Sequence, residues 1–219
     1  MSEQNELEIV IFPHPFLRHQ AIPFTPDQIK TTLVRETAAA MIRCMYQYHG
    51  VGLASEQVGC PQAVIVIDTG YAYSGKKAPR IMFNPKILEA DPETIALGSP
   101  GEGCLSLPYG YHQPVKRYEN VRVQWLDSRC REKERWFTGF EAIVVQHEID
   151  HLDGRLFIDH LSKLKQSMFL AKVRKQHRLY WKGVKSAQSA IRNAERTPAF
   201  NMKRTQEYEK HLRSMKNNA

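Results

Sequence analysis

The segment GFEAIVVQHEIDHLDG, Gly139 to Gly154, limits what this chain can fold into more than any other stretch. Thr138 and Glu141 stand in capping-box register and Gly154 follows as a stop, so the segment reads as a helix from Gly139 to about Leu152. Its AIVV run is apolar on every side, which suits a helix running through a core. The same helix carries His147, Glu148 and His151 as H-E-x-x-H. At that spacing the two imidazoles share one face and can hold one metal ion. Left unpaired in a core, these three side chains would be costly, and a metal accounts for them better than a chance histidine pair.

Short apolar or β-branched runs surround this helix in sequence: AVIVID, RIMFNP, TIALG and VRVQWLD. KERWFTGF follows VRVQWLD across a polar break, as in a hairpin. EIVIF, near the N-terminus, reads as a further short strand. TPDQIKTTLVRETAAAMIRCMYQYHG reads as one helix, with Thr25 as N-cap, Pro26 in its first turn, Gln28 closing a capping box and Gly50 as its stop. Val34, Ala38, Met41, Ile42 and Met45 form its apolar face. Another helix is expected from near Ser162 to about Trp181, with Leu164, Met168, Phe169 and Val173 on one side. The expected class is α+β: antiparallel sheets packed around a central metal-binding helix, with a C-terminal helix.

A chain of 219 residues has room for one sizeable domain. No run approaches the roughly 18 consecutive apolar residues that span a bilayer, so no membrane partner is expected. MSEQNELEIVIF is acidic and lacks the basic and apolar regions of a secretory signal, which points to the cytoplasm. Cys44, Cys60, Cys104 and Cys130 form no C-x-x-C pair and read as thiols or ligands rather than a disulfide frame. Charge is uneven. From Leu161 onward there are 15 Lys and Arg against 3 Glu, a net of +12, whereas residues 1–160 carry a net of −4. That asymmetry separates an expected catalytic body, 1–165, from a basic C-terminal helix and tail, 166–219, for which nucleic acid is the first candidate partner.

Two histidines do not complete a catalytic metal site, which takes three protein ligands and leaves a position for water. The extended motif H-E-x-x-H-x-x-G-x-x-H finds its glycine in Gly154 but meets Phe157 where the third histidine belongs. A glutamate from further along would have to be Glu195, inside the basic tail beside Pro198. Asp153, Asp159 and His160 lie at or beyond the chain turn expected after the helix and are weaker candidates. Upstream, SPGEGCLSLP sets Cys104 in a glycine- and proline-bounded loop. A thiolate there would complete a Cys-His-His site; a small buried hydrophobe is the alternative reading of a lone cysteine.

Three segments taken together, GVGLASEQ (Gly50–Gln57), EGCLS (Glu102–Ser106) and QHEIDHLDG (Gln146–Gly154), resemble the peptide deformylase family in order and spacing. FPHPFLRHQA and GRLFIDHLS are similar to its flanks, and the resemblance covers about residues 8–165. It implies a metal-dependent hydrolase of protein biosynthesis that removes the formyl group from N-terminal formylmethionine of nascent polypeptides and releases formate. Cys104, His147 and His151 would hold the metal, whose bound water becomes a hydroxide nucleophile. Glu148 would act as general acid and base, while the Gln57 side-chain amide and the Leu105 N–H donate to the oxyanion. Val51, Gly52 and Leu53 would border the substrate, with Val51 and Gly52 offering backbone hydrogen bonds. Ile143 and Val144 are candidates for the methionine pocket, with core packing as the alternative.

Glu102, Gln146 and Asp150 would orient ligands, with Arg117 paired to Glu102. The implied metal is Fe(II) first, with Zn(II), Ni(II) or Co(II) also compatible. The basic tail would dock on ribosomal RNA, with a plain solvated basic helix as the alternative. One departure stands out: the family's first motif continues Ala-Ala and then Thr or Pro before the Gln, whereas this chain has Ala54-Ser55-Glu56-Gln57. A Glu56 facing the cleft would change peptide preference; one facing water would do little. Two rival readings remain, an HExxH metallopeptidase with another third ligand and a non-catalytic, ribosome-associated relative.

Overall fold

The computed structural model describes residues 7–92, 95–97, 101–107, 110–173 and 175 of the chain. Five strands, β1 (Gly52–Ala54), β2 (Val64–Ile67), β3 (Arg80–Ala90), β6 (Asn120–Leu126) and β7 (Glu132–Thr138), form one antiparallel sheet in the order β1-β2-β3-β6-β7. Strands β4 (Ile95–Leu97) and β5 (Lys116–Tyr118) pair separately. The helices are α1 (Pro26–Ile29), α2 (Thr32–Gln47), α3 (Tyr71–Ser74), α4 (Gly139–Leu152) and α5, residues 163–173. The α+β class and the β6–β7 hairpin match the expectation. β1 and β5 had not been foreseen.

Strand β2 shows how the layers arise. Side chains alternate across a strand, and all four of its residues are apolar, so both faces need cover. Ile65 and Ile67 pack into a cluster with Val144, Val145, Ile149 and Leu152 of α4. Val64 and Val66 pack on the other side with Ala38, Met41, Cys44 and Met45 of α2. At the far end of the sheet the pattern relaxes. Val121, Val123 and Trp125 alternate as the buried side of β6, and β7 is exposed except at Phe137.

Five local expectations are corrected. The capping box of Thr25 and Gln28 is present, but the helix it opens ends after one turn at Ile29. Thr31 then caps a new helix: its Oγ1 donates to the Gln28 carbonyl at 2.7 Å and accepts from Val34 N–H at 3.4 Å. At the other end His49, at φ 55°, takes the left-handed turn expected of Gly50. Thr138 makes no side-chain cap on α4. Glu141 is drawn away to Arg80, at 2.7 Å, and to Arg135. EIVIF forms no ladder; Val10 and Phe12 each donate a single bond, to the carbonyls of Gln57 and Ser106. In α5, Phe169 and Val173 are buried, but Leu164 and Met168 are 71% and 64% exposed, so these four do not make one apolar face. The expected continuation to Trp181 and the basic tail beyond lie outside the described residues.

Candidate metal centre

Helix α4 buries polar side chains in a continuous run: Gln146, His147, Glu148, Asp150 and His151 are all under 9% exposed. The loop bearing Cys104 meets them from the other side. One ligand atom each from Cys104, His147 and His151 lie within 4.8 Å of one another, and Cys104 Sγ is 3.2 Å from His151 Nε2. The imidazoles cross edge to face at 5.1 Å between centroids. One sulfur and two nitrogens converging in a buried pocket are a donor set for a borderline-soft divalent metal. Phe157, at the position where an extended zinc-peptidase motif has its third histidine, stacks on His147 at 6.1 Å. It walls the site and supplies no ligand.

Outside the ligands runs a buried charged relay. His147 Nδ1 lies 2.9 Å from Glu102 Oε2, which leaves its Nε2 for a metal. Glu102 takes a forked contact from Arg117, Nε at 2.7 Å and Nη2 at 2.9 Å. Arg117 Nη1 donates to Asp150 at 2.6 Å, and Asp150 meets His160 Nε2 at 2.7 Å. Planar bidentate pairing of this kind is what lets an arginine sit buried between carboxylates. Burial opposes the charge on Glu102, but the bonds from Arg117 and His147 outweigh it and hold its pKa down to about 2. Asp150 is likewise held well below the carboxylate range, His160 and Arg117 overcoming its burial.

The two histidines differ. Burial disfavours charge on His147, yet its bonds with Cys104 and Glu102 prevail and raise its pKa well above the ordinary value. Burial and the neighbouring His147 push His151 well below it. Burial pushes Glu148 up to about 7, and its Oε2 has no partner among the described residues. Gly52 makes room for it: a Cβ there would overlap the Glu148 carboxyl group.

The remaining candidates separate into groups. Gln57 is buried, with Oε1 accepting from Ala54 N–H at 2.8 Å and Nε2 lying 3.3 Å from Ser106 Oγ and 3.5 Å from Cys104 Sγ. Its amide donor end therefore faces the ligands. Leu105 follows Cys104 in a turn closed by Leu107 N–H on the Cys104 carbonyl, and among the described residues its own N–H makes no hydrogen bond. Val51 is partly buried beside β1, the edge strand of the sheet. Leu53 points into the α2 cluster and Val144 into the α4 core; Ile143 is buried in neither cluster. Gln146 does not orient a ligand. Its side chain bonds Tyr118 N–H and C=O and the Ala142 carbonyl, stitching β5 to α4. Ser106, inside the quoted EGCLS motif, escaped the sequence reading; His160, weighed there as a weak ligand candidate, instead partners Asp150 of α4 at 2.7 Å.

With that geometry in place, the family comparison decides the matter. The profile of the polypeptide deformylase family matches residues 6–167. The chain belongs to that family. It is an enzyme of the deformylase kind, a hydrolase with a Cys104, His147, His151 metal site. A peptide deformylase of Alkalilimnicola ehrlichii is 43% identical over 169 residues, covering 77% of this chain and 89% of the relative. The Synechococcus elongatus deformylase in complex with actinonin superposes with TM-score 0.69 at 32% identity, over 78% of this chain and 89% of its own. The class I type b deformylase of Acinetobacter baumannii with Met-Ala-Ser bound gives 0.65 at 33%, over 71% and 98%.

Proposed function

We propose that this deformylase hydrolyses the formyl amide of N-formylmethionyl peptides at the start of nascent chains, releasing formate and a free amine. The observation that carries the reading is the approach of the Gln57 amide and Glu148 to the Cys104, His147, His151 triad. The A. baumannii relative holds Met-Ala-Ser, a peptide that begins with methionine, which supports a methionyl substrate.

A divalent metal bound by the three ligands supplies Lewis acidity and brings the pKa of a bound water toward neutrality. Glu148, one residue past a ligand and with a free oxygen, takes the proton from the attacking water and passes it to the departing amine nitrogen. A carboxyl group whose pKa sits near 7 is suited to both transfers. Gln57 Nε2 and Leu105 N–H donate to the former formyl oxygen as negative charge builds on it. The open edge of β1 offers backbone groups of Val51 and Gly52 to an extended peptide, as in strand addition. Leu53 joins in through its backbone alone, since its side chain is in the core. Ile143 is the better placed of the two α4 residues to meet the methionine side chain. Glu102 and Arg117 fix His147 in one orientation, and Fe(II), then Zn(II), Ni(II) or Co(II), are the metals that this donor set suits.

Anaerobic purification, metal analysis and formate release from formyl-Met-Ala-Ser test the assignment. One metal per chain with formate production is expected. A metal-replete protein that releases no formate would refute it in favour of a non-catalytic relative, and cleavage of internal peptide bonds would favour a peptidase.

The further reading is of a cytoplasmic enzyme: a catalytic body over 1–165 and a basic extension, 166–219, that docks on ribosomal RNA. No helix among the described residues is long and apolar enough to cross a membrane. Removing residues 183–219 should abolish co-sedimentation with ribosomes at low salt; unchanged co-sedimentation would end that part of the proposal.

A further inference from the structure

Glu56, the residue by which GVGLASEQ departs from its family's pattern, faces neither the cleft nor water. It is 0% exposed, in a 3-10 turn (Ser55–Val58) that also carries Gln57, the residue after it. One carboxyl oxygen, Oε2, receives the Ser55 hydroxyl at 3.1 Å. Ser55 Oγ in turn accepts Val64 N–H of β2 at 3.4 Å, so the carboxyl group is linked to the sheet through a single hydroxyl. The other oxygen, Oε1, has no partner among the described residues.

A carboxylate so enclosed needs a cation, and among the described residues none is bonded to it. Three elements pack on the turn: β1, α4 and the 3-10 turn Pro15–Arg18. β1 has no titratable side chain. From the end of α4 the charged group acting on Glu56 is Asp153, whose like charge adds to the effect of burial. Arg18, on the third element, is engaged by Asp159 and the Gly154 carbonyl. A desolvated carboxyl group beside another acid keeps its proton. Burial raises the Glu56 pKa to about 8, outweighing the bonds that its own backbone and the Ser55 hydroxyl make to the charged form.

We propose that Glu56 is a positioning residue: as a neutral acid it packs the turn that aims the Gln57 amide at the ligands, and as an anion it displaces that turn. This rests on the deformylase reading only for the consequence to catalysis. The backbone ties of the turn are Val10 N–H to the Gln57 carbonyl at 2.7 Å, Cys60 N–H to the Ser55 carbonyl at 2.9 Å and the longer bond from Gly59 N–H to the Glu56 carbonyl at 3.3 Å. Gln57 follows Glu56 within this single turn, so movement of Glu56 toward water pulls on it directly. Below the ionisation the Nε2 donor stays at Ser106 and Cys104; above it the donor is withdrawn, and turnover falls while peptide binding through β1 persists.

The test uses the zinc-loaded full chain, wild type and E56Q, which keeps the side-chain shape but cannot ionise. With formyl-Met-Ala-Ser, each profile is normalised to its own value at pH 6.5. Wild-type kcat should fall about tenfold per pH unit above the Glu56 ionisation with KM within about twofold, and E56Q should hold its plateau. Identical alkaline limbs in the two proteins would overturn the proposal. A second measurement needs neither the variant nor turnover: the 15N-labelled side-chain amide of Gln57 in wild type should shift with the midpoint of the Glu56 carboxyl carbon. A Gln57 amide that stays still while Glu56 titrates would also overturn it. Absence of formate at every pH refutes the deformylase reading instead, and leaves the Glu56–Gln57 coupling to be decided by the amide shift.

Discussion

Helices α2 and α4 lie against opposite faces of the same strands, yet they bury different kinds of side chain. α2 covers Val64 and Val66 with Ala38, Met41, Cys44 and Met45 and brings no charge inside. α4 covers Ile65 and Ile67 with Val145, Ile149 and Leu152 but also brings in Gln146, His147, Glu148, Asp150 and His151. Most of these polar groups have partners on other elements: Gln146 on β5, His147 on Glu102, Asp150 on Arg117 and His160. The exceptions are the oxygen of Glu148 and Nδ1 of His151. A core tolerates buried charge when it is paired, and an unpaired group marks where a reacting molecule or ion supplies what is missing. α2 is thus expected to carry stability and α4 chemistry, a division that mutations can break or sharpen.

The largest effect is expected at Glu148. Glu148→Gln keeps the shape of the α4 site and its ligands but removes the base, so kcat should fall by about 10²–10⁴ with metal content unchanged. Formate-release kinetics with parallel metal analysis measure both. A variant with most of its turnover intact would mean that α4 contributes ligands only.

Arg117 tests the relay behind the ligands. Replacing it with Met leaves Glu102 buried without its arginine, while Asp150 keeps Arg155 at 2.9 Å and His160 at 2.7 Å; the loss at Glu102 should cost about 3–5 kcal/mol of stability and weaken metal binding about 10–100-fold. The pH dependence has a definite sign. Glu102 and Asp150 have pKa values depressed on folding, so their stabilisation is present above the ordinary carboxylate range and is lost as pH falls toward about 2 for Glu102. Thermal melts should show wild type losing stability with acidification below pH 5, and Arg117→Met losing less, because it has less to lose.

On the α2 side, Met41→Ala should destabilise by about 2–5 kcal/mol through cavity formation while kcat/KM in the folded protein stays within about twofold. Met41 is fully buried and reaches no ligand. Chemical denaturation and activity at low temperature separate the two quantities. A large loss of turnover in the folded protein would show that the α2 side, through Leu53 and Leu105 packed in the same cluster, helps to set the oxyanion donors.

The same contrast explains what could be read from the sequence. α4 was legible because an apolar run interrupted by H-E-x-x-H has few other places to go, and the β6–β7 hairpin because alternation survives over the seven residues of β6 and a polar break follows it, although β7 buries only Phe137. β1 and β5 are three residues long, too short for any period to show. The break between α1 and α2 was written in Thr31, a second N-cap six residues past the first, but the continuous apolar pattern masked it. Cys104 sits in a loop with no periodicity, so its convergence on the histidines needed either the resemblance or the fold. Burial of Glu56 was invisible, because it depends on α4 and the Pro15–Arg18 turn closing over a residue that local sequence would leave in water.

The smallest predicted effect concerns two threonines that look alike in sequence. Both precede helices, and the one read as a cap from sequence was Thr138. Thr31 Oγ1 serves two backbone groups, the Gln28 carbonyl and Val34 N–H, so Thr31→Ala should cost α2 about 0.5–2 kcal/mol. Thr138 makes no such bond, and the acid expected to complete its box is held by Arg80 and Arg135. Its place is set by the backbone instead: Thr138 pairs with Asn120 in the β6–β7 ladder, and Gly139 N–H donates to the Glu119 carbonyl at 2.8 Å. Thr138→Ala should therefore change stability by less than about 0.5 kcal/mol. Denaturant titration of the two variants side by side resolves the difference. Equal losses would mean that the helix bearing the metal ligands depends on a side-chain cap as α2 does, rather than on the strand that delivers it.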